Sequence, residues 1–134
     1  MSELESRGQP RLLLVEDEAR LRQSIALALR SHGYALELAG TAAEAVRIAG
    51  DGDCALMLLD LNLPDATGWD VLRRLDALHA RPPTIVLSAM FPTAQRMHEF
   101  APAAVLQKPF PIDALLRLVR AQLERSEPDQ MEHV

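Results

Sequence analysis

Five short apolar runs alternate with amphipathic helical patterns along the chain, and this alternation restricts the fold more than any other feature. The runs lie at residues 11–15, 35–39, 55–59, 84–87 and 104–107. A regular succession of strand and helix predicts an α/β domain with a parallel sheet covered by helices on both faces. Residues 35–39 alternate between apolar and polar side chains, so we expect this strand at an edge of the sheet.

Apolar stripes at helical spacing lie between the runs and predict helices that face a core. They comprise Leu21, Ile25, Ala28 and Leu29, then Val71, Leu72, Leu75 and Leu78, then Leu115, Val119, Gln122 and Leu123. Capping signals agree with these helices. Thr41 with Glu44 predicts a capping box, Thr67 with Asp70 predicts a weaker one, and Gly33 ends the first helix.

Composition excludes several classes of function. The formal net charge of −5 and the scattering of the arginines among carboxylates argue against direct binding of nucleic acid. No apolar run approaches the roughly 20 residues that a membrane span needs, so we expect no membrane association. The single cysteine, Cys54, and the polar stretch 1–10 favour a cytoplasmic protein, with Cys54 serving as a small apolar residue.

Polar side chains stand where four of the five strands end. Glu16 and Asp17 follow the first strand, Asp60 ends the third, Ser88 the fourth, and Lys108 the fifth. Because parallel strands carry their sites at their carboxyl ends, we expect these side chains at one rim of the sheet. Each could singly be a helix cap or a surface charge. Their joint occurrence at one rim favours a functional site.

Three carboxylates at one rim would raise each other's pKa values unless a cation lies between them. The ligands Glu16, Asp17 and Asp60 are all oxygen donors, with no histidine nearby, and this set favours Mg²⁺. The turn after Asp60 could add the backbone carbonyl of Asn62. Residues 16–18 are acidic and contain no glycine, which excludes a nucleotide or flavin phosphate bound by a Gly-rich loop.

Lys108 and Ser88 predict an anion pocket beside the metal. Of the 14 basic residues, 13 are arginine, so Lys108 is the chain's one lysine. A compact ammonium and a hydroxyl group suit two oxygens of one phosphoryl group. Asp60 would then lie between metal and lysine, where it could attack a phosphoryl group and form an acyl phosphate.

These segments together resemble the receiver domain of two-component response regulators. The resemblance rests on residues 12–18 (LLLVEDE), 58–68 (LLDLNLPDATG), 88–89 (SA) and 108–110 (KPF). It implies a receiver domain over 11–125. From their polar composition we expect the N-terminal segment (1–10) and the tail (126–134) to be flexible. The resemblance also implies a flavodoxin-like, doubly wound sheet of five parallel strands in the order 2-1-3-4-5, with five helices. Pro92 and Pro102 limit the fourth helix to at most two turns, over 93–100, so we expect this helix to be short.

The resemblance assigns roles on the metal side of the site. Asp60 matches the phosphoacceptor and Asp17 the direct Mg²⁺ ligand. Glu16 matches the second acid of the pair, and Asn62 the residue that binds the metal through its backbone carbonyl. The implied cofactor is Mg²⁺.

Further matches lie on the phosphate side. Ser88 matches the switch hydroxyl, Ala89 the small residue beside it, and Lys108 the lysine that binds phosphate. Pro109 matches a proline that usually follows a cis peptide bond. One position departs: receivers usually carry tyrosine or phenylalanine three residues before the lysine, and here Val105 stands there.

The departure at Val105 leads to a hypothesis about output. We expect another face or a modified switch to carry the signal, with Met90 or Phe91 in place of the missing ring. The segment between Ser88 and Lys108 is also shorter than is usual for receivers.

The expected function is Mg²⁺-dependent transfer of a phosphoryl group from a histidine kinase phosphohistidine to Asp60, in a signalling domain rather than an enzyme. Expected partners are a sensor histidine kinase or phosphotransfer protein and a downstream protein or an output domain, with a homodimer possible. One alternative is an interaction module that works without phosphorylation. The other, a haloacid-dehalogenase-like phosphatase, would need a second acid where Asn62 stands.

Overall fold

The computed structural model describes residues 10–125, so residues 1–9 of the expected N-terminal segment and the expected tail 126–134 lie outside the described residues. The strands are β1 (Arg11–Val15), β2 (Ala35–Ala39), β3 (Leu56–Asp60), β4 (Thr84–Ser88) and β5 (Ala104–Gln107). The helices are α1 (Ala19–Ser31), α2 (Ala42–Gly50), α3 (Gly68–Ala77), α4 (Ala94–Phe100) and α5 (Ile112–Arg125). None of these helices is long and apolar enough to cross a bilayer.

All strand pairs are parallel and the sheet order is β2-β1-β3-β4-β5, which confirms the predicted fold. Successive strand residues face opposite sides of the sheet, and each side has its own core. Leu13, Met57 and Val86 pack in the core that includes residues of α2, α3 and α4. Leu12 and Ile85 pack in the other, with residues of α1 and α5. The helices therefore cover both faces, as expected.

The apolar stripes face these cores with one clear exception. Leu78, predicted to lie in the core, is 57% exposed. The reason is that α3 ends at Ala77, so Leu78 is the C-cap and its side chain leaves the buried face. The predicted end of α1 is confirmed, because Gly33 follows its C-cap with a φ of +89°, a conformation that glycine adopts without strain.

Capping differs in strength between the two predicted boxes. Thr67 and Asp70 form a complete box, since each side chain accepts the other's backbone N–H at 3.1 Å. The box at α2 is modified: Thr41 Oγ1 accepts from Glu44 N, but Glu44 Oε1 accepts from the N–H of Gly40, one residue before the cap. The sequence predicts the weaker capping box at Thr67 and Asp70, and this prediction is wrong, because that box is the complete one.

The fourth helix is short, as predicted, and α3 holds it in place. The rings of Trp69 and Phe100 stack with their centroids 4.9 Å apart. Arg81 Nη1 donates to the Phe100 carbonyl at 2.6 Å, and the Arg73 guanidinium lies 5.2 Å from the Phe100 ring centroid. Trp69 is therefore a packing residue, as its position at the start of a helix predicts.

Candidate functional site

Three carboxylates meet at the carboxyl ends of β1 and β3. Glu16, Asp17 and Asp60 each offer an oxygen, and these oxygens lie within 4.8 Å of one another. Glu16 and Asp60 are only 1% and 4% exposed, whereas Asp17 is exposed. The strands β1 and β3 are neighbours in the sheet, and this places the residues that follow them side by side.

The ammonium group of Lys108 joins two of these carboxylates. Its Nζ lies 2.9 Å from Glu16 Oε1 and 3.2 Å from Asp60 Oδ2. Burial raises the pKa of Glu16, and the hydrogen bond from Lys108 only partly offsets that effect. Burial alone would lower the pKa of Lys108, but Glu16 and Asp60 outweigh it and raise that pKa. The lysine therefore stays charged across the physiological range.

Backbone N–H groups hold the other oxygens of the two buried carboxylates. Glu16 Oε2 accepts from the N–H of Glu18 at 3.2 Å, and Asp60 Oδ1 accepts from the N–H of Asn62 at 3.1 Å. Glu18 is also the N-cap of α1, where its side chain accepts the N–H of Leu21. Within residues 10–125, the Asp17 carboxylate has no hydrogen-bonding partner. The open side of the cluster is therefore the side of Asp17.

Ser88 lies at the same rim, at the buried end of β4. Its Oγ accepts the N–H of Met90 at 3.2 Å, and its carbonyl accepts the N–H of Lys108 at 2.8 Å. The Lys108–Pro109 peptide bond is cis, as the resemblance implies. The structure thus brings Ser88 and Lys108 to the rim that carries the carboxylates, with exposed Asn62 in the loop after β3.

The loop after β4 presents two apolar side chains. Met90 and Phe91 are 78% and 60% exposed and line an open groove of about 390 Å³ with Leu61, Trp69 and other residues. Val105 is half-buried against the core on the α2–α4 side. A role for Met90 or Phe91 in place of the missing ring stays a prediction.

Two contacts around the site were not expected from sequence. The carboxylate of Asp65 accepts the N–H groups of Ala42 and Ala43 at 2.8 and 3.1 Å, and so joins the β3–α3 loop to the start of α2. A Cβ on Gly68 would lie 2.8 Å from the carbonyl oxygen of Asp60. Glycine has a low helix propensity, and its place directly before the apolar helical pattern is the one local signal for the second contact.

Comparison with known proteins supports the resemblance to receiver domains. The sequence model of the family described as "Response regulator receiver domain" matches residues 12–120. The transcriptional regulatory protein PmrA of Pectobacterium parmentieri is 36% identical over 119 residues, which are 87% of this chain and 54% of that protein. The cell cycle transcriptional regulator CtrA of Caulobacter vibrioides is 36% identical over 118 residues, 87% of this chain and 51% of that protein. The chain spans about half the length of these relatives.

Solved structures agree with the fold. The non-phosphorylated HemR receiver domain from Leptospira biflexa matches with a TM-score of 0.81 and 29% identity, over 90% of this chain and 98% of that one. The receiver domain of the sensor histidine kinase PA1611 from Pseudomonas aeruginosa matches with a TM-score of 0.77 and 29% identity, over 87% of this chain and 99% of that one. That structure has a magnesium ion coordinated in its active site cleft. The chain therefore belongs to the response regulator receiver domains, the signalling domains of two-component systems.

Proposed function

We propose that this receiver domain accepts a phosphoryl group on Asp60 from a phosphohistidine of a histidine kinase or phosphotransfer protein, in a Mg²⁺-dependent reaction. The observation that carries the proposal is the contact of Lys108 Nζ with Asp60 Oδ2 at 3.2 Å, inside a cluster of three carboxylates. The family supports it, and so does the magnesium ion held by the receiver domain of PA1611.

The donor set fits Mg²⁺. The cluster consists of carboxylates alone, and oxygen ligands on a partly open site are what this ion prefers. Asp17, Asp60 and the backbone carbonyl of Asn62 would hold the ion, with Glu16 as the second acid. When bound, Mg²⁺ supplies positive charge that offsets the charge on the phosphoryl oxygens.

The transfer itself needs little from the protein beyond position and charge. A carboxylate oxygen of Asp60 forms the new bond to phosphorus while the phosphorus–nitrogen bond of the donor breaks. The electron pair stays on the imidazole nitrogen, which takes up a proton from solvent. Lys108 neutralises charge on the transferring oxygens, and the Ser88 hydroxyl binds one of them in the product.

The decisive experiment is incubation of the protein with acetyl phosphate and Mg²⁺, followed by mass spectrometry of the intact chain. We expect an adduct of about 80 Da, one phosphoryl group, on the wild type. The adduct should be missing from Asp60→Ala and from wild type treated with a chelator. Asp51→Ala, which removes an exposed carboxylate at the far end of α2, is the matched control and should be labelled normally.

Other outcomes would point to the alternatives. A folded wild type that takes up no phosphoryl group from acetyl phosphate or from phosphohistidine would contradict the proposal and favour an interaction module that works without phosphorylation. Steady turnover of p-nitrophenyl phosphate that depends on Asp60 would favour a phosphatase instead.

The partners follow from the same proposal. A kinase or phosphotransfer protein would meet the rim that carries Asp60, and a downstream protein, an output domain or a second copy of the chain would bind the phosphorylated form. We propose a cytoplasmic location and no direct contact of this domain with nucleic acid or membrane, in keeping with its net charge of −5.

A further inference from the structure

Arg22 contacts the backbone of both acidic residues that follow β1. Its Nη1 lies 2.8 Å from the carbonyl oxygen of Glu16 and 3.3 Å from that of Asp17. Arg22 is the fourth residue of α1, and its side chain reaches back over the loop that precedes the helix. One guanidinium nitrogen therefore fixes two consecutive peptide groups, the two that carry the candidate metal ligands of this loop.

The end of β2 leaves room for this guanidinium. A Cβ built on Gly40 would lie 3.3 Å from Arg22 Nη1, closer than side-chain contacts ordinarily come. The backbone at Gly40 does not have the positive φ that would itself require glycine. A side chain at position 40 would therefore press on the Arg22 guanidinium, which would have to move by a few tenths of an ångström.

The Asp17 carboxylate needs such support more than its neighbours do. Glu16 and Asp60 are each held by Lys108 and by a backbone N–H, whereas Asp17 is exposed and has no side-chain hydrogen bond in the described part of the chain. Its position is therefore set by its backbone. Arg22 holds that backbone at the carbonyl groups of Glu16 and Asp17, while the Glu16 carboxylate holds it at the N–H of Glu18.

We propose that Arg22 is a positioning residue of the metal site, which fixes the peptide groups of Glu16 and Asp17 so that the Asp17 carboxylate is aimed at Mg²⁺. The inference rests on the proposed function, because it assumes that the carboxylate cluster binds this ion. Residues that orient metal ligands typically contribute 10-fold to 100-fold to metal affinity.

Charge and position predict opposite effects when Arg22 is replaced. A positive charge close to a site repels a cation, so loss of the charge alone would tighten Mg²⁺ binding. Loss of a positioning contact would weaken it. The sign of the change in affinity therefore distinguishes the two roles.

The test compares Arg22→Met with Arg20→Met, which removes the same charge from the same helix. Arg20 is exposed and makes no hydrogen bond or ion pair within residues 10–125. We expect the Mg²⁺ dissociation constant from isothermal titration calorimetry to rise about tenfold or more in Arg22→Met. In Arg20→Met it should stay unchanged or fall slightly. Equal or tighter binding by folded Arg22→Met would overturn the proposal.

Gly40→Ala perturbs the contact of Arg22 with the loop while Arg22 itself is kept. This test therefore does not depend on the folding of Arg22→Met. The added methyl group should push the guanidinium away by a few tenths of an ångström, so we expect it to weaken Mg²⁺ binding in the wild-type background, by less than Arg22→Met does. It should have no further effect on affinity when combined with Arg22→Met, because the contact is already lost. A purely structural role would lower the free energy of unfolding without Mg²⁺ but leave the dissociation constant of the folded protein unchanged, and this result would contradict the proposal.

Failure of the proposed function gives a different result. If the wild type binds no Mg²⁺, the metal assignment itself is wrong. If the wild type and Arg20→Met bind Mg²⁺ and Arg22→Met binds it equally well, the metal assignment stands and only the positioning role is wrong.

Discussion

At the scale of single residues, the choice of lysine at position 108 is physically specific. The ammonium contacts Glu16 and Asp60 from one nitrogen atom, at 2.9 and 3.2 Å, in a partly buried space between β1, β3 and β5. A guanidinium is planar and wider, and its donors point in fixed directions suited to bidentate contacts. The chain uses arginine at its other 13 basic positions, so the exception at Lys108 coincides with the place where a compact cation fits.

We predict that Lys108→Arg impairs phosphorylation although it keeps the charge. Removal of a group that stabilises developing charge typically costs about 100-fold in rate, and we expect Lys108→Met to approach that loss, with Lys108→Arg between it and the wild type. The rate of labelling by acetyl phosphate checks this. Arg47→Met, at an exposed position on α2, is the control. Unchanged labelling and unchanged partner binding in Lys108→Arg would mean that the site does not require lysine rather than arginine at position 108.

At the scale of elements, the β3–α3 loop is packed tightly against the phosphoacceptor strand. Its N–H at Gly68 donates to the carbonyl of Leu61 at 2.9 Å, and the capping box of Thr67 starts α3 at once. A side chain at Gly68 would meet the backbone of Asp60 and Leu61 at 2.8 to 3.0 Å. The start of α3 and the position of Asp60 are therefore coupled.

We predict that Gly68→Ala destabilises the domain by about 1–3 kcal/mol, because the backbone atoms it meets cannot move aside. Gly50→Ala is the matched control. Its Cβ would make an ordinary contact with Leu78 at 3.7 Å, and alanine in a helix is favoured over glycine by roughly 0.5–1 kcal/mol. Urea denaturation measures both. Equal stability of the two variants would show that the loop can shift away from Asp60.

The short helix α4 depends on its aromatic contact with α3. Phe100 is its one buried residue and stacks on Trp69. We predict that Phe100→Ala costs about 3–5 kcal/mol and speeds amide hydrogen exchange throughout α4. Phe91→Ala should change stability by less than about 0.5 kcal/mol, since Phe91 is 60% exposed. Unaltered exchange in α4 of Phe100→Ala would mean that other contacts hold the helix.

At the scale of the whole molecule, acidic side chains outnumber basic ones, and several carboxylates outside the cluster of Glu16, Asp17 and Asp60 accept hydrogen bonds that stabilise the fold. Hydrogen bonds from the Ala42 N–H and the Thr67 N–H lower the pKa values of Asp65 and Asp70. A hydrogen bond from Arg81 lowers the pKa of Asp76. In the unfolded chain the pKa values of these carboxyl groups return to about 3.8. At pH values near and below 3.8 the unfolded state therefore binds more protons than the folded state.

We predict that these three carboxylates stabilise the domain above about pH 4 and that this stabilisation is lost as the pH falls through their lowered pKa values. The free energy of unfolding, measured between about pH 3 and 6, should therefore decline more steeply at the acid end in wild type than in the triple variant Asp65→Asn, Asp70→Asn and Asp76→Asn. Parallel curves for the two proteins would contradict this account.

Much of the fold could be predicted because it follows from local patterns. Periodicity indicated the five strands and the edge position of residues 35–39, two prolines indicated the short fourth helix, and the resemblance supplied the strand order. Leu78 was wrongly placed in the core, since a stripe of apolar residues does not reveal the residue at which a helix ends. The gathering of Glu16, Asp17, Asp60, Ser88 and Lys108 at one rim could be predicted because parallel strands end on the same side. Their roles in phosphoryl transfer stay predictions.

The sequence by itself thus determined the α/β architecture and the chemistry available at the rim, because both depend on residue type and on spacing along the chain. Only the tertiary structure decided which atoms meet: Arg22 with the carbonyls of Glu16 and Asp17, and Gly68 with Asp60. Arg22 resembles any other arginine in the sequence. Its place follows from the packing of α1 against the ends of β1 and β2, and contacts between elements of that kind leave no periodic pattern in a single sequence.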